Sequence, residues 1–322
     1  MVGDNRQTVR VVLFVAIGLF SVALPLAVPP PVVNLLTKIL IFALLVMSLD
    51  FLVGYAGLWS FCQAALFGVA AYTTGILITQ YGVRGFWLTA PTSLLIAMLL
   101  SAIIGFIALR VSEIYFLLIT LALGQLVYGV VLRWKAMTKG PMGLVGLPYP
   151  ELGLSWNSPI GMYYFVLAFF IICALLLHLI TNSPFGVSLQ GIRQSEVRMR
   201  ILGYNTWLYQ YIAFIVSGLF AGMAGVLYAH YNGLITPKDI DVGASGFLWL
   251  VLIVGGTGTL WGALVGSAVI LSLEYIISIL TPERWPLMVG ACFIGSVMFF
   301  RGGIFPHLVR FWTKVMKFHV KS

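Results

Sequence analysis

Charged side chains are scarce throughout this sequence. Only 8% of its 322 residues are Asp, Glu, Lys or Arg, while 61% are hydrophobic and the mean hydropathy is +1.05. Soluble globular domains carry about 25% charged residues. A deficit spread over the whole length excludes a soluble fold and implies an all-α, polytopic membrane protein. An outer-membrane barrel is excluded too, because its strands would read as alternating segments of about ten residues. The apolar runs here are long and continuous. Cysteine is nearly absent: Cys62, Cys173 and Cys292 lie far apart in apolar stretches and read as buried free thiols. The four histidines, His178, His230, His307 and His319, are equally scattered, so no metal site is expected.

Chemistry-bearing motifs are missing as well. There is no phosphate-cradling G-x-x-x-x-G-K-[ST], no H-E-x-x-H, no G-x-S-x-G and no pair of carboxylates at helical spacing. The chain is therefore read as a non-enzyme that binds no cofactor of its own. Acids within apolar stretches reduce to Asp50, Glu113 and Glu274. A proton- or sodium-coupled carrier places ionisable or chelating groups at the bilayer midplane. Asp50 and Glu113 fall near span ends, where snorkelling or capping costs little, and Glu274 sits deeper in either a functional or a structural role. These absences describe a conduit whose energy comes from elsewhere.

What is present is span after span. A crossing needs about 20 apolar residues, and that rule gives about ten transmembrane segments: 11–30, 34–53, 60–80, 87–109, 114–132, 160–180, 209–229, 246–256, 259–280 and 286–300. The eighth is short enough to be re-entrant. Arg6 and Arg10 before Val11–Val28 resemble a signal sequence, but no small-x-small cleavage site follows, so an uncleaved first helix is expected. Nothing resembles a soluble linker, and residues 1–322 read as one membrane domain. With both termini inside, 11 Lys and Arg fall on the cytoplasmic side and 7 outside, out of 18 in all, the sign the positive-inside rule requires.

Three features stand out within this frame. Small residues recur on helical faces: Ala64, Gly68, Ala71 and Gly75; Gly218, Gly222 and Gly225; Gly258, Gly262 and Gly266. Such stripes let helix backbones approach closely in a bilayer. Second, "GYAGLWSFCQAALFGVAAY" (54–72) opens with residues that interrupt or hydrate a helix inside an apolar run whose only charges are Lys38 and Asp50. Third, the 181–208 stretch is polar with helical character. Ser183 suits a cap, Pro184 the first turn and Gly203 the end, and Phe185, Leu189, Ile192 and Met199 recur at helical spacing. An amphipathic helix on the inner leaflet and a helix inserted into a soluble partner both fit that pattern.

At this point the sequence resembles a known family. "SPFGVSLQGIRQSEVRMRILGYN" followed by "YIAFIVSGLFAGMAGVLYAHYNGLITP" is similar to the M-type permease subunits of branched-chain amino acid ABC importers. "GYAGLWSFCQAALFGVAAY", "YFLLITLALGQL", "TKGPMGLVGLP" and "IVGGTGTLWGALVGSAVI" match the same family in order, from about residue 40 to about 305. The resemblance implies a multi-pass inner-membrane ABC importer permease that pairs with a homologous permease. Two ATP-binding subunits would attach at the cytoplasmic face, and a periplasmic binding protein would deliver substrate; ATP is used by the partners. It maps a cytoplasmic coupling loop onto 181–208, with Gly186, Arg193, Glu196 and Gly203. It maps a broken helix onto Gly54, Tyr55, Gly57, Ser60 and Gln63, read either as part of the translocation path or as a plain turn. The sequence departs from the family where Cys62-Gln63 replaces Gly-His, where Glu113 replaces a glycine, and where Arg301-Gly302-Gly303 lacks a proline. The leading expectation is a permease for branched-chain or related neutral amino acids. The alternatives are a urea or short-amide permease of the same architecture and, from another class, a secondary carrier.

Overall fold

In a computed structural model, the described residues run from 28 to 280 except 84, 112–113 and 151–157, with 25, 287, 290, 291, 294, 295, 298 and 302–307 in addition. Helix α1 (Pro30–Asp50) starts on a proline at its first turn and runs without interruption into a π-helical turn, Phe51–Ala56. After an irregular stretch come α2 (Gln63–Thr79), α3 (Phe86–Ala108), α4 (Ile114–Arg133) and the short α5 (Lys135–Thr138). Next are α6 (Pro159–Asn182), α7 (Pro184–Gln194), α8 (Glu196–Ile201) and α9 (Thr206–Asn232). The chain continues into α10 (Val242–Gly255) and α11 (Leu260–Leu280). Two-residue strands β1 (Leu144–Val145) and β2 (Leu234–Ile235) pair antiparallel, with Leu144 opposite Ile235.

Helix boundaries follow local chemistry. Ser158 caps α6 by accepting from Gly161 N–H at 3.0 Å, with Pro159 in the first turn. Asn205 caps α9 through Leu208 N–H at 3.2 Å, and Asp241 caps α10 through Val242 N–H at 2.7 Å. Thr236 and Asp239 form a reciprocal capping box that turns the chain between β2 and α10.

Of the ten expected segments, six correspond to helices long and apolar enough to cross a membrane: α1 with its π turn, α3, α4, α6, α9 and α11. The segments placed at 60–80 and 246–256 are shorter helices, Gln63–Thr79 and Val242–Gly255. Most of the first and last, 11–30 and 286–300, lies outside the described residues, and so do Glu113 and Arg301. The segment at 60–80 is shortened because residues 57–62 are spent on an unwound connection before α2. The one at 246–256, expected to be short, begins four residues earlier than expected, after the capped turn at 236–241.

The core is built around α9, 72% of whose most apolar window is buried, against 28% for α4. Helix α9 packs along α2, α3 and α1, while α11 and α6 flank α1. Close approach at small residues makes this packing possible. A Cβ on Gly225 would come within 2.0 Å of the Phe67 carbonyl of α2. One on Gly222 would meet Ala97 at 2.9 Å and one on Gly218 would meet Ser101 at 2.4 Å, both on α3. Gly262 and Gly266 seat α11 against the backbone of Val251, Gly255 and Gly256 at the end of α10. The other stripe differs: Gly68 faces Ile240, and Gly75 faces Leu144 and Ile235. It seats the β-bridged connections at one end of the bundle rather than another helix. Gly258, read with Gly262 and Gly266 as one helical face, lies outside α11 in the turn after α10, with φ +80°.

A methyl group at Gly225 has no room, whereas one at Gly246 meets nothing within 4 Å. Gly225→Ala should therefore lower the apparent melting temperature of the purified protein, with an overpacking cost of about 1–3 kcal/mol. Gly246→Ala should not lower it. Equal melting of both variants with the native chain in thermal unfolding would remove the packing argument.

Candidate functional site

The break after α1 is an exercise in satisfying backbone groups where water is scarce. The π turn ends at Gly57, whose φ of +74° closes it, and Leu58 N–H returns to Leu52 C=O at 3.0 Å. Carbonyls of the last helical turn have no partner within the helix. That of Gly54 accepts from the Arg193 guanidinium, which reaches over from the end of α7. The Arg193 stem crosses Gly57 on the way: a Cβ at Gly57 would touch its Cγ at 3.0 Å. Beyond Gly57, Phe61 N–H donates to Thr120 Oγ1 of α4 at 3.1 Å, and Ser60 C=O accepts from Trp249 Nε1 of α10 at 3.0 Å. Leaving any one of these groups unpaired would cost about 1–3 kcal/mol.

Asp50 sits one turn before Gly54 and is fully buried. Its Oδ1 accepts from Gly258 N–H at 2.6 Å, tying α1 to the α10–α11 turn, and it feels the positive charge of Arg193. Of the two roles expected near a span end, snorkelling fails because α1 continues past Asp50 into the π turn and buries it, whereas its carboxylate does engage a free backbone N–H, that of Gly258. Gly54 has no side chain because Gly258 Cα occupies that space: a Cβ would lie 2.6 Å from it.

Gln63 opens α2 in the middle of the core, 1% exposed. Its Nε2 donates to Ser48 Oγ of α1 at 2.8 Å and to Ser217 Oγ of α9 at 2.7 Å, and Ser217 Oγ donates to Ser48 C=O at 2.6 Å. Gln63 thus pins three helices at one level. Ser60 is buried beside Cys62, 3.2 Å from Oγ to Sγ. Tyr55 is partly buried and stacks loosely on Phe51, 6.4 Å between ring centroids. Trp249 lies between Trp59 and Phe61, stacked at 5.3 and 5.5 Å, and Trp59 remains 55% exposed.

The 181–208 segment forms two helices, not one. Ser183 caps α7 through Gly186 N–H, and Pro184 occupies the first turn. Ser195, extended at φ −164°, then breaks the run and caps α8 through Arg198 N–H. Gly203 ends α8 at φ +88°, with Tyr204 N–H returning to Met199 C=O at 3.1 Å. Gly186 allows α7 to fold back on α6: a Cβ there would strike the Thr181 carbonyl at 2.3 Å. Leu189 and Ile192 are buried, Phe185 stacks on Tyr209 of α9 at 5.5 Å, and Met199 packs on Gly191. Glu196 pairs locally with Arg200 at 2.5 Å and accepts from Thr206 Oγ1 at 3.1 Å. Both members of that ion pair are solvent-accessible, so it contributes about 0–1 kcal/mol.

The structure brings together two sets of residues that the sequence kept separate: Gly54 and Gly57 of the break touch Arg193 of the loop helices. Gly186, Glu196 and Gly203 shape the helix pair without reaching the break. Sequence reasoning did not find Ser48, Ser217, Trp249 or Thr120, because none belongs to a motif and all act through tertiary contact. Asp50 carried a usable signal, standing one helical turn before Gly54. Glu274 is not isolated: Lys38 Nζ lies 3.1 Å from its Oε1. Among the described residues no group of three His, Cys, Asp or Glu could hold a metal.

Comparison with known proteins follows the same outline. Residues 32–300 match the family model described as branched-chain amino acid transport system / permease component. The chain is 26% identical over 327 aligned residues to the high-affinity branched-chain amino acid transport system permease protein LivM of Escherichia coli (strain K12), covering 94% of this chain and 76% of that protein. It is equally similar to LivM of Salmonella typhimurium, at 26%. It is also 28% identical to the autoinducer 2 import system permease protein LsrC of Salmonella paratyphi B, covering 70% of this chain and 68% of that one. No solved structure matches the chain.

The Gln63 node predicts coupling between helices. Gln63→Leu and Ser217→Ala each remove the bond between them, and intramembrane hydrogen bonds contribute about 0.6 kcal/mol on average, up to about 1.7. Each variant should unfold more readily in detergent, and the double variant should lose less than the sum of the singles. Strictly additive losses in a double-mutant cycle would contradict the bond.

Proposed function

The chain belongs to the branched-chain amino acid transport permease family, and from that premise we propose that it forms, with a homologous permease, the membrane path for branched-chain or related neutral amino acids in an ATP-driven importer. As a member of this family it is a non-catalytic, multi-pass subunit of a transport system in the bacterial inner membrane. The leading relatives are named for branched-chain amino acids, and others are named for autoinducer 2, so the same scaffold serves more than one cargo. The substrate class follows the relatives with the greater coverage. In this reading a periplasmic binding protein delivers the substrate, two ATP-binding subunits supply the work, and about ten segments complete the membrane domain.

The observation that carries the reading is the helix pair α7–α8. It lies between two spanning helices and exposes Val187, Val197, Ile201 and Leu202, the last two 80% and 71% accessible, beside Arg198 and Arg200. Apolar side chains on a charged, non-spanning segment suit contact with a protein better than contact with water. We assign this pair to the cytoplasmic side, as the surface that meets the ATP-binding subunits. The path itself is assigned to the flank of the break, Gly54 to Gln63, at the boundary with the second permease. Two observations support that assignment. Ser60 and Gln63 are buried, so within this chain their side chains face neighbouring residues rather than open space. Trp59, on the break itself, is open to a neighbour.

Two experiments check this. Reconstituted with its permease partner and ATP-binding subunits, the chain should accumulate labelled leucine only with ATP and the binding protein, indifferent to collapse of ion gradients. Uptake driven by a proton or sodium gradient without the ATP-binding subunits would establish a secondary carrier instead. In a cysteine-free background, Lys238→Cys should react with an impermeant thiol reagent from the periplasm and Gln194→Cys only from the cytoplasm. Periplasmic labelling at 194 would reverse the orientation.

A further inference from the structure

We propose that Arg193 is the positioning residue that carries movement of α7–α8 into the membrane core, by holding the π turn of the first helix and the α10–α11 turn to the end of α7 as one moving body. The inference rests on the proposed function, in which α7–α8 meets the ATP-binding subunits, and goes beyond it by naming the receiving element.

Three segments far apart in sequence converge here. Arg193 is the penultimate residue of α7, and its guanidinium donates to Gly54 C=O. Gly54 is packed face to face on Gly258, and Asp50 holds Gly258 N–H at 2.6 Å. A Cβ on Gly258 would itself lie 3.6 Å from Arg193 Nη1. The neighbouring contacts of α7 with the core, through Leu189 and Ile192, are apolar and non-directional. The Arg193 bond is directional and satisfies a carbonyl that the helix end leaves without a partner. Pulling Arg193 away would strand that carbonyl, so displacement of α7 is resisted unless the break moves too. Because α2 follows the break after only six residues, 57–62, and Gln63 pins α2 to α1 and α9, a shift at Gly57 reaches the middle of the bundle.

The geometry supplies its own test. A Cβ at Gly57 would stand 3.3 Å from Arg193 Cβ, just under the ~3.5–4.5 Å of a disulfide. A side chain at Gly57, where φ is +74°, carries backbone strain, so a cysteine pair can replace the polar tie with a covalent one at the cost of that strain. The assay is leucine accumulated per ATP hydrolysed by the complete reconstituted complex, with co-purification of the ATP-binding subunits as the check on assembly. The wild-type complex must import on ATP; if it does not, the proposed function fails, and the inference with it. Given that, Arg193→Met should lower uptake per ATP at least tenfold while the ATP-binding subunits still co-purify. Arg193→Lys, which keeps a charged donor, should recover a substantial part. Gly57→Cys with Arg193→Cys, in a background lacking the native thiols, should be uncoupled when reduced and regain uptake per ATP when oxidised. Four results would each overturn the inference: wild-type coupling in Arg193→Met; loss of the ATP-binding subunits from it, which would make Arg193 a docking residue; a cysteine pair that does not oxidise, which contradicts the contact; and an oxidised pair no better coupled than the reduced one.

Discussion

In a bilayer every backbone N–H and C=O has to find its partner inside the protein, and this fold turns on how that is met between Phe51 and Gln63. A helix satisfies its own backbone, so a chain can leave helical geometry at membrane depth only where other elements stand ready to replace the lost bonds. Here α7 supplies Arg193, α4 supplies Thr120 and α10 supplies Trp249. The break is therefore a point of convergence. Three helices are oriented by it, and it can exist only because they are already packed around it.

The remaining architecture serves that convergence. Helix α9 runs through the centre, and its glycines let α2 and α3 approach to backbone contact. Where the hydrophobic effect offers nothing between helices, such contact gains from dispersion and from the hydrogen bonds it permits. The Gln63–Ser48–Ser217 cluster uses that proximity to lock three helices at one level. The outcome, among the described residues, is three helices held in close contact around buried polar groups.

Charge is placed with the same economy. Asp50 is engaged by a backbone N–H and by the field of Arg193, and Glu274 by Lys38. Glu274 has a charged counterpart in Lys38, while Asp50 is held through Oδ1 alone and its Oδ2 has no hydrogen-bond partner among the described residues. On α7–α8, Glu196 and Arg200 pair weakly and leave the apolar surface of Val197, Ile201 and Leu202 available.

Composition and periodicity by themselves determined the class and most helix positions, because long apolar runs in a chain this poor in charge have only one way to satisfy their backbones; the family came from the resemblance of ordered sequence blocks. Ser183, Pro184 and Gly203 also marked the ends of the loop helices, since capping is a property of a few adjacent residues. The division of that loop at Ser195 escaped notice because a serine serves a helix interior and a helix cap alike, and only the backbone angle separates the two. The weak point at Gly54–Gln63 was legible as an interruption. Its meaning was not, because Arg193 and Gly258 lie more than a hundred residues away and no local pattern links them to it. The span length of α2 was likewise decided by tertiary structure: apolar residues continue through 57–62, and whether they stay helical depends on which neighbours offer hydrogen bonds. Local sequence specifies what a segment prefers; in the membrane, the availability of a partner for each freed backbone group decides where that preference is set aside.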